Sequence, residues 1–192
     1  GATGGGGATG GGGGATGGGG GAIDGGVSLV VGCWNLDWFA DGDGGALGPT
    51  DNALQQQNVQ TVLQSRTDVD LWGIEEIVGT TEFAAVAANL PGYGLLQVTS
   101  VPNGSYYYVP AEQKVALLYR TSKLTLVTAR VILTQSSYDF GGRPPLEAQL
   151  RLNVNGTLRD LYVIVLHMKA YSDVDSYNRR VAAANALKTY LD

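Results

Sequence analysis

In the run Leu161 to Leu166 (LYVIVL) both alternating sets of side chains, Leu161/Val163/Val165 and Tyr162/Ile164/Leu166, are apolar. Successive side chains of a strand point to opposite faces, so this run indicates a strand covered on both sides. The helices legible in the chain can cover one face only, and the sequence ends before a second cover is evident. The strand therefore belongs to a layered α/β sheet whose other face would be left open.

The strand reading places three polar side chains. Asn35, Glu76 and His167 each close an apolar run, in VSLVVGCWNLDWF, DLWGIEEIV and LYVIVLHMK. Strand ends on one side of an α/β sheet are where such folds place ligands and catalytic groups. An amide oxygen, a carboxylate and the chain's one histidine suggest metal-assisted phosphate chemistry. Each also has a plainer reading. Asn35 could be a turn residue, and His167 a hydrogen-bonded core imidazole. Glu75 and Glu76 could both lie in a solvated turn, although alternation sends them to opposite faces and so turns one towards a buried region. Arg143, on the Gly-Gly-Arg-Pro-Pro loop, is either a solvated cation or a phosphate clamp.

Along the chain, residues 1–26 repeat Ala-Thr followed by glycines. Such a segment buries almost nothing, and glycine loses most backbone entropy on ordering, so it reads as a disordered linker or tether. A strand is expected over 27–34. After Pro49 a helix opens, with Thr50, Asp51 or Asn52 as cap and Val59, Val62 and Leu63 as its buried stripe. A strand over 70–77 leads to a helix burying Phe83, Val86, Ala87 and Leu90. Strands near 94–101 and 105–109 then flank Pro102-Asn103-Gly104, strands over 114–120 and 124–133 flank Ser122-Lys123, and 147–154 meets 158–168 across Asn155-Gly156. Asn-Gly between apolar runs is a hairpin signal, because both central residues of a type I′ turn need positive φ. A last helix near 172 places Val181, Ala184, Leu187 and Leu191 on one face.

Some chemistry is weakened or set aside. A net charge of −5 gives no broad basic surface, so a polyanion would be held by a metal and local cations. The single Cys33 permits no internal disulfide and reads as a buried structural thiol. No apolar stretch reaches the roughly 18–20 residues of a membrane helix. Asp41-Gly-Asp43-Gly lacks the further acidic ligands of a calcium loop.

The order WNLDWF, a Gln-rich helix, GIEEIVG, KVALLYR, GRPPLEAQL and LYVIVLHMKAY resembles the endonuclease/exonuclease/phosphatase family, whose fold is that of pancreatic deoxyribonuclease. The resemblance covers residues 27–192, and WNLDWFADGDGGALGPTDNALQQQNV looks like secreted or surface bacterial members. It implies a four-layer α/β sandwich, present as its first sheet and helices. It puts a divalent metal, Mg²⁺ or else Mn²⁺ or Ca²⁺, on Asn35 and Glu76, the first catalytic histidine on His167, and a substrate-contacting arginine on Arg143. Glu112 or Gln113 occupies the place of the acidic residue that orients the histidine. The family's Gly-Asp-x-Asn motif and late Asp-His pair have no counterpart, so the chain resembles the N-terminal half of the domain.

The activity this implies is that of a metal-dependent phosphodiester hydrolase, an endonuclease in the first place. A phosphatase or phospholipid phosphodiesterase of the same family, or a noncatalytic surface-tethered module, are the alternatives. The 192 residues alone would be inactive, the complete protein a monomer acting on nucleic acid or another phosphodiester, and its location extracellular or at the cell surface.

Overall fold

A computed structural model describes residues 28–42 and 47–192. The Gly-rich linker assigned to residues 1–26, and Asp43, lie outside the described residues.

Among the described residues, seven strands form two sheets. The first contains β1 (Val31–Phe39), β2 (Leu71–Ile77), β3 (Tyr93–Gln97) and β4 (Lys114–Arg120) in the order β1-β2-β4-β3; β1 and β2 run parallel and the other pairs antiparallel. The second contains β5 (Leu124–Val131), β6 (Leu146–Val154) and β7 (Thr157–Val165) as an antiparallel meander. Helices α1 (Asn52–Ser65) and α2 (Thr80–Ala88) follow β1 and β2, α3 (Gly104–Tyr107) is a single turn, and α4 (Val174–Leu191) follows β7.

Three clusters of buried side chains define four layers. Val59 and Leu63 of α1 and Phe83 and Val86 of α2 pack on Trp72, Ile74 and Leu118 of the first sheet. Leu71, Val115 and Leu117 on its other face meet Leu146, Ala148, Leu150 and Val165 of the second sheet. Ala183 of α4 closes the far side with Ile132, Phe140 and, partly buried, Ile164. The order is helices, sheet, sheet, helix, as expected of the four-layer class.

The expectation that only the first sheet would be represented is corrected. The turn at Thr121 to Lys123 does not close a hairpin between β4 and β5; the chain crosses there to start the second sheet. The LYVIVL run, through Val165, lies in that sheet and is covered on both sides: Leu161, Val163 and Val165 face the first sheet and Ile164 faces α4. The uncovered apolar face inferred from the sequence is absent at the sheet–sheet contact.

Local chemistry explains the other agreements and differences. Asp51 caps α1 by accepting the Leu54 N–H at 2.8 Å, and Asp173 caps α4 by accepting the Ser176 N–H at 2.9 Å. Asn155 and Gly156, at φ 51° and 83°, make the two-residue turn joining β6 and β7. Asn103-Gly104 makes no hairpin. A Cβ on Gly104 would lie 1.8 Å from the Val98 carbonyl oxygen, so the segment folds back on a 3-10 turn over Val98–Ser100 and continues as α3. Cys33 is exposed rather than buried, because β1 is an edge strand. On α4 the buried positions are Ser176 and Ala183, with Ala186 and Leu187 partly buried, while Val181, Ala184 and Leu191 are exposed.

Candidate functional site

The ends of β1 and β2 are irregular at the same place. Between Asn35↔Glu75 and Phe39↔Ile77, three residues of β1 oppose one of β2, and between Ile74↔Ala116 and Ile77↔Lys114, Glu75 and Glu76 together oppose Val115. Asp37, Trp38, Ala40 and Glu76 all have positive φ, between 53° and 62°. Bulges re-aim side chains, and left-handed backbone at non-glycine residues persists only where its surroundings hold it.

The holding group is Gln55 of α1, which is buried. Its Nε2 donates to the carbonyls of Leu36 (2.9 Å) and Asp37 (3.0 Å), and its Oε1 accepts the Ala40 N–H (3.0 Å). Gly79 completes the clamp from β2, since a Cβ there would lie 2.6 Å from Ala40 Cβ. So held, the Trp38 N–H donates to Glu76 Oε2 at 3.1 Å. Asn35 Nδ2 donates to Glu76 Oε1 at 2.7 Å, while its Oδ1 accepts the Asp37 N–H at 2.9 Å.

From the second sheet, His167 reaches the same carboxylate, its Nε2 3.2 Å from Glu76 Oε1. The imidazole is 8% exposed and its Nδ1 is buried with no hydrogen-bond partner. Burial first, and then the nearby Arg143 guanidinium, hold His167 below its ordinary pKa against the opposing pull of Glu76 and Glu112. Burial and Arg143 thus favour the neutral ring, whose Nε2 faces the Glu76 carboxylate.

Arg143 is equally buried. Its Nη1 donates to Gln113 Oε1 at 2.5 Å and to Glu112 Oε1 at 3.2 Å, and its Nε is buried without a partner. Thus Glu112 and Gln113, the two candidates for orienting the histidine, both hold the arginine instead. Lys114 fixes their loop, its buried ammonium donating to the carbonyls of Pro110 (2.6 Å), Glu112 (2.8 Å) and Val78 (3.1 Å). Glu75 accepts from Cys33 Sγ at 3.4 Å and is held above its ordinary pKa chiefly by burial.

The structure thus brings Asn35, Glu76 and His167 into one cluster, with Arg143 within electrostatic reach. Sequence reasoning missed Gln55 and Lys114. Gln55 had a signal: Gln55, Val59 and Leu63, at i, i+4 and i+8, are the buried stripe of α1, and a glutamine on such a stripe must be hydrogen-bonded. Val62, expected on that stripe, is exposed.

Among the described residues no three His, Cys, Asp or Glu side chains cluster as a metal cage. What the site offers is one carboxylate beside one amide, whose nitrogen faces Glu76 and whose oxygen accepts the Asp37 N–H. That suits a hard cation such as Mg²⁺, which keeps several waters and takes few protein ligands. Moreover, the hydrogen bonds that the Glu76 carboxylate accepts, from Asn35 Nδ2 and the Trp38 N–H, come from neutral donors, which leaves its charge for a cation to balance.

No protein-family model and no curated protein matches the chain. Solved structures do. TDP2 of D. rerio complexed with a single-strand DNA product superposes with a TM-score of 0.59 at 12% identity, over 85% of this chain and 54% of that one. Humanized D. rerio TDP2 carrying 14 mutations gives 0.53 at 13%, over 83% and 54%. The chain spans about half the length of these proteins, and at such identities the likeness is one of fold.

Proposed function

We propose that this chain, whose fold is that of the endonuclease/exonuclease/phosphatase superfamily, carries the metal- and phosphate-binding part of a divalent-metal-dependent phosphodiester hydrolase acting on nucleic acid. The supporting observation is the convergence on Glu76 of Asn35 from β1, the Trp38 N–H from the clamped bulge, and His167 from the second sheet. A structural ion pair would not call for two bulges and a run of left-handed residues to assemble it.

Glu76 and Asn35 would hold Mg²⁺, which when bound polarises the phosphoryl group and stabilises the leaving oxygen. The chain's own residues do the rest of the positioning. Arg143 is fixed in advance by Gln113 and Glu112, so its remaining donors can meet a non-bridging phosphate oxygen without reorganisation. His167, held below its ordinary pKa by burial and Arg143 and with Nε2 3.2 Å from Glu76 Oε1, would position that carboxylate. The chain's one histidine is thus engaged at Glu76, and no second imidazole exists here to activate water. The 192 residues are accordingly proposed to bind metal and substrate without turning the substrate over.

The test is Mg²⁺-dependent binding of a single-stranded oligonucleotide to the 192-residue chain, together with nicking of plasmid DNA. Binding that is lost on chelation and weakened by Glu76→Gln, with no nicking, agrees with this reading. Binding indifferent to both the metal and Glu76 contradicts it.

A further inference from the structure

We propose that Tyr171 is a base-stacking platform beside the phosphate site and makes that site selective for single-stranded nucleic acid over phosphodiesters without bases. This rests on the phosphodiester reading above and names the substrate feature the site recognises.

Tyr171 is 72% exposed, so core burial does not account for its position. Its φ of 77° is left-handed, a conformation unfavourable for a non-glycine residue. The segment is nonetheless held firmly. Nη1 of Arg180, on α4, donates to three successive carbonyls, of Lys169 (3.0 Å), Ala170 (3.4 Å) and Tyr171 (2.7 Å). A strained segment pinned by a charged side chain, with its ring left in solvent, is a presentation device.

The ring is also oriented. Lys169 Nζ sits 4.8 Å from its centroid, a cation–π contact that occupies one face and leaves the exposed ring open to a partner on the other. The platform adjoins the phosphate group's binder: a Cβ at Gly141 would lie 3.1 Å from Arg143 Nη2 and 3.6 Å from Lys169 Cδ, so the lysine stem and the guanidinium flank the same glycine. A second cation–π pair has the Arg179 guanidinium 4.1 Å from the Tyr138 ring centroid.

Charge decides what such a rim can bind. The chain is net −5, and Asp175 lies 3.9 Å from Arg179. A uniform polyanion such as duplex DNA gains little here. An unpaired strand presents base faces, and stacking needs no strong field. A phospholipid headgroup has no ring to stack.

The experiment is fluorescence-anisotropy titration of the 192-residue chain, with Mg²⁺, against a labelled single-stranded oligonucleotide and an abasic strand of equal length. Stacking is worth about 1–3 kcal/mol per base, so wild type should bind the base-bearing strand roughly five- to a hundredfold more tightly. Tyr171→Ala should abolish that ratio and leave abasic binding unchanged, and Tyr171→Phe should restore it. Equal binding of both strands by wild type, or a ratio unmoved in Tyr171→Ala, overturns the platform while leaving the phosphodiester reading intact. Binding of neither strand by wild type overturns both.

Discussion

Asn35 Nδ2 donates to Glu76 Oε1 across 2.7 Å, at the point where β1 and β2 both depart from regular pairing. The amide therefore serves the carboxylate as a neutral donor, and its own oxygen is turned to the Asp37 N–H. Replacing it by a carboxylate removes the donor and sets two like charges together. Asn35→Asp should lower the melting temperature by roughly 2–4 °C without divalent ions, equivalent to about 1 kcal/mol. Mn²⁺ should recover the loss, so the metal-induced shift in Asn35→Asp exceeds that of wild type. An equal or smaller shift would remove Asn35 from the metal site.

Gln55 makes three hydrogen bonds to backbone groups of residues 36–40, and Leu has a similar shape without the donors and acceptors. Gln55→Leu should cost about 2–4 kcal/mol in urea unfolding, because backbone groups under α1 lose their partners. It should also weaken Mn²⁺ binding, since the Trp38 N–H would no longer be held against Glu76. A stable Gln55→Leu chain with unaltered metal affinity would show that the clamp is dispensable.

Arg143→Lys keeps the charge but loses the planar fork shared by Gln113 and Glu112. Binding of a phosphodiester should weaken by about tenfold, with Mn²⁺ affinity unchanged. If both fall together, Arg143 acts on the fold of the site rather than on the phosphate.

Asp70 is buried at the start of β2. Burial alone would raise its pKa, but Lys123 at 2.8 Å, the Val30 N–H at 3.0 Å and Arg120 outweigh it and hold the carboxyl below its ordinary range. A depressed folded-state pKa contributes stability above the unfolded value of about 3.9, lost as pH falls through the folded value. Unfolding midpoints should drop below about pH 4, and the drop should be shallower in Asp70→Asn. An acid limb of the same depth in the variant would assign it to other carboxylates.

Much of this architecture is legible where local chemistry decides. Asp51 and Asp173 cap their helices, Asn155-Gly156 turns because both residues need positive φ, and LYVIVL demands two covers. What stayed hidden depends on where strands go after they form. Nothing in Thr121 to Lys123 distinguishes a hairpin from a step between sheets, and Asn103-Gly104 looks like a hairpin turn until the Val98 carbonyl is seen against Gly104. The polar ends of the apolar runs point to Asn35, Glu76 and His167. The bulge at Glu76 cannot be read from alternation, because it breaks alternation, and the pairing of Arg143 with both Glu112 and Gln113 joins residues some thirty apart in the chain.

The most direct test of a metal site at Glu76 is calorimetric titration of Mn²⁺ into the folded 192-residue chain and into Glu76→Gln, which keeps the side chain's shape and removes its charge. Changes to groups that merely support a ligand cost about 10–100-fold in metal affinity. Loss of the ligand carboxylate should therefore cost about a hundredfold or more, against one Mn²⁺ bound per wild-type chain. Stoichiometric binding that survives Glu76→Gln unchanged, or no binding by the folded wild-type chain, would contradict that site.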